Sequence, residues 1–303
     1  MTTTTLTSAE SGQLPETQAA AEAIIRGAAQ HDGSEPISDQ ARVDAKSGAR
    51  ELRVARDSSG TPVGVAVLGD GELDLVIDPA HRGQGHATRA LEALLASHEG
   101  QLLAWAHGEQ PAADRLLSRA GFSPVRTLLR LALDPARLPA PERPAAPEGF
   151  THDTFAPADA TEWLRVNAAA FAHHPEQGRL THDDLAARQE EPWFDAEDFL
   201  LLRPENAPDR IAGFAWLKVS RAPDGAGTTG EIYAIGVDPE LTGRGLGRAL
   251  MNAGLARLAA HRPDRVDLYV EGDNEPALGL YRSLGFTVDT RSQQWLRPTA
   301  APA

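Results

Sequence analysis

Apolar and polar positions change period several times along the chain, and one succession of periods occurs twice. In the second half, Glu231-Ile-Tyr-Ala-Ile-Gly-Val237 alternates with period two and is rich in β-branched residues, which predicts a strand; Leu246, Leu250, Ala253 and Leu258 then follow at helical spacing. In the first half, Leu73-Asp-Leu-Val-Ile77 predicts a strand and a helix begins at about Ala87. The two junctions are alike: Leu75-Val-Ile-Asp-Pro-Ala-His-Arg-Gly-Gln-Gly-His-Ala87 and Ile235-Gly-Val-Asp-Pro-Glu-Leu-Thr-Gly-Arg-Gly-Leu-Gly247. Each copy later reaches a Gly-Phe pair, Gly121-Phe122 or Gly285-Phe286. This self-similarity predicts two tandem modules.

Each module reads as a helix-rich start, antiparallel strands, the motif strand, a helix, a strand, a second helix and a closing strand. The class is mixed α/β, α+β-like, with a mostly antiparallel central sheet flanked by helices rather than a doubly wound one. Between the modules Pro135, Pro139, Pro141, Pro144 and Pro147 recur too densely for a helix or a central strand. The expected organisation is a first domain over 1–133, an extended linker over 134–149 and a second domain over 150–303.

Of the 303 residues, 41% are hydrophobic and 24% charged, a globular balance. No apolar run approaches the roughly 18 residues of a membrane span, and Met1-Thr-Thr-Thr-Thr-Leu6 lacks the basic and apolar stretches of an export signal. A cytoplasmic monomer without membrane contact is expected. A net charge of −14 disfavours non-specific nucleic-acid binding and reads as a solvated acidic surface. The absence of cysteine excludes disulfides, thiolate metal ligands and an acyl-cysteine intermediate. The adjacent His173 and His174 do not make a metal site without converging ligands, so no metal is expected.

The glycine-rich junction carries the first chemistry. Gly243, Gly245 and Gly247 let the backbone approach a ligand closely, and the unpaired N–H groups of the following helix's first turn can hold a pyrophosphate, with Arg244 and Arg248 adding positive charge. Taken alone, a Gly-x-Gly-x-Gly turn reads more plainly as one with no ligand. The strand before it, the helix after it and the second copy favour the phosphate reading. No Lys-Ser/Thr follows the last glycine, so it is not a Walker loop.

The stretch resembles the acetyl-CoA loop of the GNAT acetyltransferases, whose pattern is Gln/Arg-x-x-Gly-x-Gly/Ala. Copy one fits with Arg82, Gly85 and Ala87; copy two fits with Gly245 and Gly247 but has Thr242 where Gln or Arg is usual. Asn274-Glu-Pro-Ala-Leu-Gly-Leu-Tyr281-Arg-Ser-Leu-Gly285-Phe286 is similar to the family's second signature. The resemblance implies acetyl-CoA contacts in the first copy from Leu75, Val76 and Ile77 and from Gly83, Gln84, Gly85, His86, Ala87 and Thr88. In the second copy it implies Ile235, Gly236 and Val237, the loop Thr242, Gly243, Arg244, Gly245, Leu246, Gly247 and Arg248, and the helix start Asn274, Glu275, Pro276, Ala277, Leu278 and Gly279.

Attack of an amine on a thioester needs a neutral nucleophile and a proton for the departing thiolate. Glu231 is the base candidate, expected on one side of its strand with Tyr233 and Ile235; an exposed acid at a strand start is the plainer alternative. Tyr281, four residues before Gly285, stands where the family often uses a tyrosine to protonate the thiolate, though a tyrosine beside Leu280 and Leu284 also fits core packing. The corresponding places in copy one are Gly71 and Leu117, so the first module is expected to be catalytically silent while still able to bind acetyl-CoA.

The segments Val166 to Gly178, Glu191-Pro-Trp-Phe-Asp195, Gly213-Phe-Ala-Trp-Leu-Lys218 and Leu268-Tyr-Val-Glu271, together with the tandem arrangement, resemble the mycothiol-forming branch of the GNAT family. That branch acetylates the cysteinyl amine of a cysteine–glucosamine–inositol conjugate. The resemblance implies substrate contacts from Glu176, Lys218, Glu231 and Tyr269, with Asp39 of the first module where Glu is usual. Carboxylates and a lysine suit a polyol with an ammonium group. The cofactor motifs alone also fit acetylation of a protein N-terminus or an aminoglycoside, or a non-catalytic acetyl-CoA-binding protein.

Overall fold

The computed structural model describes residues 4–8, 14–172, 177–221 and 227–299. The chain forms two compact units. The first contains Met1–Leu129, Glu271–Asp273 and Thr290–Ala303; the second contains Arg130–Val270 and Asn274–Asp289.

The elements of the first half are β1 (Thr5–Ser8), α1 (Leu14–Asp32), α2 (Asp39–Ser47), β2 (Glu51–Arg56), β3 (Pro62–Gly69), β4 (Glu72–Ile77), α3 (His86–Ala96), β5 (Leu102–Ala106), α4 (Pro111–Arg119) and β6 (Ser123–Leu133). In the first unit β1, β2, β3 and β4 pair antiparallel in sequence order, and β4 pairs parallel with β5. The next strand is β12 (Thr287–Arg297), the chain's last, whose Gln293–Arg297 pairs antiparallel with Ala106–Leu102. The closing strand of the second copy thus completes the first unit's sheet. Alternation sorts Val54, Val65, Val67 and Val76 towards α1 and α2, while Ala66, Leu73, Leu102 and Ala104 pack with Leu91 and Leu94 of α3 and Leu117 of α4.

Apart from a 3-10 turn at Pro135–Arg137, no helix or strand forms between β6 and β7 (Phe150–Thr154), as the prolines dictate. The remaining elements are α5 (Ala160–Ala170), α6 (His182–Gln189), β8 (Phe199–Pro204), β9 (Gly213–Arg221), β10 (Thr228–Val237), α7 (Leu246–His261), β11 (Arg265–Glu271) and α8 (Glu275–Leu284). The second unit's sheet runs β7-β8-β9-β10 antiparallel, with β10 and β11 parallel. One face carries Phe199, Leu201, Phe214 and Trp216 against Trp163 and Val166 of α5 and Leu185 of α6. The opposite face carries Leu200, Leu202 and Ala215 against Leu246, Leu250 and Ala253 of α7.

The aromatic side of this core is built around Trp163, which is fully buried and meets Phe199, Phe214 and Trp216 edge-on at 5.4, 5.5 and 5.6 Å. Such edge-to-face pairs add to the area term of a large apolar side chain. Trp163→Ala is expected to lower unfolding stability by about 3–5 kcal/mol in denaturant titration, since the neighbouring rings cannot close over the vacated volume.

Candidate active site

In the second unit the motif strand β10 delivers the site. Its pairing with β9 slips between Ile232 and Ala234, so that Tyr233 is an extra, bulged residue. Glu231 and Ala234 therefore share the Trp216 face, and Tyr233 packs there too. Ile235, expected beside Glu231, lies on the opposite face with Leu246 and Leu250. The period-two rule fails there because the bulge advances one strand by a residue that has no partner on the other.

The parallel ladder between β10 and β11 pairs only Thr229–Ile232 with Arg265–Leu268. Beyond it the two strands share no further pairs, leaving the polar backbone edges of Ala234–Val237 and Tyr269–Val270 without each other as partners. An extended amide-bearing chain can hydrogen-bond in such an opening. At its end Gly243 and Gly245 adopt left-handed φ values of 78° and 75°, and a Cβ built on either meets nothing within 4 Å. Gly245 is the N-cap of α7 and offers no side chain, so the first N–H groups of that helix face the open turn. The donor set and the clear space fit a pyrophosphate. Arg248 reaches Ser283 Oγ at 2.9 Å, and Thr242 Oγ1 donates to its own turn at Pro239 O, 2.9 Å. Asn274 caps α8, its Oδ1 accepting from Ala277 N at 3.2 Å.

The acid and base candidates stand on different elements. Glu231 is half-buried and registers with Lys218 on β9 and Asp267 on β11. Tyr269 lies just past the last rung of the parallel ladder, 49% exposed. Desolvation and the Glu231 carboxylate raise its phenol above the usual tyrosine range, opposed by a hydrogen bond from Arg130. Arg130 is anchored by Asp289, which also accepts from Arg265 at 2.6 Å. Tyr281 on α8 is 6% exposed, its ring 6.1 Å from that of Phe286, and burial pushes its phenol up to about 12. Glu176 and the His173–His174 pair lie outside the described residues. The residue Asp39 begins α2, but its side chain is likewise outside what is described; Ser38 Oγ caps that helix at Ala41 N.

Residues not anticipated from sequence surround Lys218. Its ammonium lies 5.4 Å from the Trp193 ring centre and 5.8 Å from that of Tyr233. The Tyr233 hydroxyl accepts from Arg188 Nε at 3.1 Å. The sequence had placed Tyr233 on the Glu231 side of its strand and marked the Glu191-Pro-Trp-Phe-Asp195 segment, but neither signal gave the lysine as the rings' partner.

The first unit repeats the loop with different occupants. Gly83 and Gly85 have φ of 76° and 79°. A Cβ on Gly85 would stand 2.6 Å from Arg89 Nη1, whose guanidinium also donates to Gln84 O and Thr4 Oγ1. Arg82 is forked onto Asp32 at 2.7 Å through both terminal nitrogens and donates to Ile77 O. That contact, with desolvation opposing it, holds the Asp32 carboxyl below its usual range. The buried His86 ring meets Thr4 Oγ1 at 3.0 Å. Where the second unit has Tyr281 the first has Leu117, a core residue, and where it has Glu231 the first has Gly71 in a tight β3–β4 turn. No bulge interrupts β3–β4 pairing. Among the described residues no cluster is arranged to hold a metal ion, and no helix is long and apolar enough to cross a membrane.

Comparison with known proteins agrees with this geometry. The family model for the acetyltransferase (GNAT) family matches residues 25–122 and again 161–286, one match in each copy. The chain belongs to the GNAT acetyltransferase family, a class of acetyl-transferring enzymes, and carries its fold twice. Its curated relatives include the mycothiol acetyltransferase of Clavibacter michiganensis subsp. michiganensis, 45% identical over 84% of this chain and 83% of that protein. That of Streptomyces bingchenggensis is 42% identical over 87% of both. Among solved structures, a tandem GNAT protein from the clavulanic acid biosynthesis pathway covers 99% of this chain and 100% of its own, with a TM-score of 0.70 and 18% identity. A GCN5-related N-acetyltransferase from Sphaerobacter thermophilus covers 99% and 98% with a TM-score of 0.69 and 21% identity. These two likenesses concern the fold alone.

Proposed function

We propose that the chain transfers the acetyl group of acetyl-CoA to the cysteinyl amine of desacetylmycothiol, and that only the second unit performs the chemistry. The observation that carries the reading is the near full-length identity to mycothiol acetyltransferases, combined with the Glu231–Lys218 register beside an open parallel ladder. Bound acetyl-CoA supplies the activated acetyl thioester. Gly243, Gly245 and the first turn of α7 hold its pyrophosphate, and the edges of β10 and β11 where their ladder stops accept the extended arm. Glu231 takes the proton from the acceptor ammonium, directly or through water, or anchors that ammonium. Tyr281 donates to the departing thiolate. Its phenol, raised to about 12, keeps its proton throughout the working range. The chain has no cysteine, so the amine attacks without a protein thioester.

The test is incubation of the purified protein with acetyl-CoA and desacetylmycothiol, with a peptide amine and an aminoglycoside in parallel. Preference for either of the latter by kcat/KM would overturn the reading. The division of labour is checked in the full chain, because β12 completes the first unit's sheet and a truncated segment would lose it. Gly245→Trp, which fills the clear space of the second loop, is expected to raise the KM for acetyl-CoA at least about tenfold. Gly85→Trp is expected to leave turnover near that of the wild type. Loss of turnover in the Gly85 variant, with folding intact by circular dichroism, would contradict a silent first unit.

A further inference from the structure

We propose that Trp193 and Tyr233 are positioning residues that hold the Lys218 ammonium at one place beside Glu231 and so set acceptor binding. The proposal rests on the function stated above. Four observations in the second unit lead to it. The Lys218 side chain has two aromatic faces within 6 Å of its ammonium, an arrangement in which each ring quadrupole attracts the cation. The two rings brace each other, 5.0 Å apart at 50°, and Trp193 is backed by Trp216 at 5.7 Å.

Each ring is also fixed from its own chain. Pro192 follows the end of α6, and the turn closed by Phe194 N to Glu191 O at 2.9 Å aims Trp193 at the sheet while Phe194 meets Trp216 edge-on. Tyr233 reaches this face as the bulged residue of β10, and its hydroxyl is held by Arg188, which is tied to its own helix through Asp184 O at 2.9 Å. Two residues on from Glu231, Tyr233 stands on the same face as Glu231 and as Lys218, the residue that registers with Glu231. A flexible lysine loses rotamer freedom when it is ordered. Rings that order it before the acceptor arrives remove that cost from binding.

The acceptor is a polyol carrying an ammonium group, and a lysine held at a fixed site recognises hydroxyl oxygens rather than the cation. The expected signature is therefore in acceptor KM, not in acetyl-CoA KM. Trp193→Leu should raise the KM for desacetylmycothiol about tenfold and leave that for acetyl-CoA within about twofold. Trp193→Phe, which keeps a ring face and guards against misfolding as the cause, should recover most of the loss. Tyr233→Phe keeps the ring but removes the acceptor for Arg188, and should give a smaller rise, about two- to threefold. In the Trp193→Leu background, Lys218→Met should add little, because the lysine is already misplaced.

A substrate-free measurement keeps this separate from the function itself. A double-mutant cycle of Trp193→Leu and Lys218→Met in denaturant unfolding should show coupling of about two- to fivefold in the folding equilibrium constant. If wild-type protein fails to turn over desacetylmycothiol, the function is wrong and the cycle alone judges the aromatic pair. Additive stability effects, equal rises in both KM values, or an unchanged acceptor KM in Trp193→Leu would each overturn the proposal.

Discussion

Glu231→Gln and Tyr281→Phe should each lower kcat by about a hundredfold or more, the usual scale for removing a positioned proton carrier. The measurement is steady-state turnover with both substrates saturating, after pre-steady-state analysis has established that chemistry limits the rate. Gln is isosteric with Glu and keeps the contacts of the half-buried strand position, so lost activity reports on the carboxylate rather than on folding. Tyr281→Phe removes one oxygen from a side chain that is otherwise packed against Phe286. The two variants should differ in pH response. An acceptor α-amine has a free pKa near 7.7–8.0, so a variant without the base should regain rate as pH rises and the amine deprotonates unaided. No such recovery is expected for Tyr281→Phe. Because burial holds Tyr281 near 12, the wild type should show no fall in kcat from its ionisation below about pH 11. Wild-type kcat in either variant would remove that residue from the mechanism.

How far these roles were legible in sequence depends on whether the signal was local. The loop glycines were readable because a left-handed residue between an Asp-Pro turn and a helix leaves a mark on the sequence itself, and Gly243, Gly245, Gly83 and Gly85 all adopt it. The helices and strands were readable from period. Tyr233 was not readable as a bulge, because burial along β10 alternates straight through it; only the register with β9 reveals the extra residue. Partnership was equally hidden. Nothing in the pattern of β12 distinguishes pairing with β5 from pairing within its own copy, since a strand's alternation states which face is buried and not which edge is joined. The loop arginine Arg82 matched the family pattern yet is engaged by Asp32, a residue far away in sequence. Trp193 lay in a marked segment and Arg188 in none, but the use of both was hidden for the same reason: it depends on which rings and cations the fold brings to Lys218.

The first unit's motif strand also carries acids that sequence alone did not bring into the account. Glu72 and Asp74 flank Leu73 just after Gly71, and both are taken up by Arg50. Arg50 and Asp74 are each 3% exposed, with Nη2 to Oδ2 at 2.7 Å, and Nη2 also donates to Val67 O. Burial pushes the Asp74 carboxyl up against the pull of Arg50. A strand that could offer a carboxylate near the place of the base instead engages it within the sheet, which would add a physical basis for the proposed silence of the first unit beyond the missing Glu and Tyr.

Arg50→Leu should therefore destabilise the protein by about 3–5 kcal/mol at neutral pH, the cost of leaving a buried charge without its partner. The sign of the pH dependence follows from the raised carboxyl. With Arg50 gone, the folded-state value of Asp74 rises further above its unfolded value, so the native state holds the proton more tightly. The variant's deficit should be smallest below the unfolded carboxylate range, near pH 3.8, and grow as pH rises towards the folded value. Adding Asp74→Leu should restore most of the loss, because two apolar side chains of similar volume replace a buried ion pair at little net cost. Denaturant unfolding of the wild type and the two variants at pH 4 and pH 7 provides the measurement. A deficit independent of pH, or no recovery in the double variant, would show that Arg50 acts through packing rather than by holding the buried carboxylate.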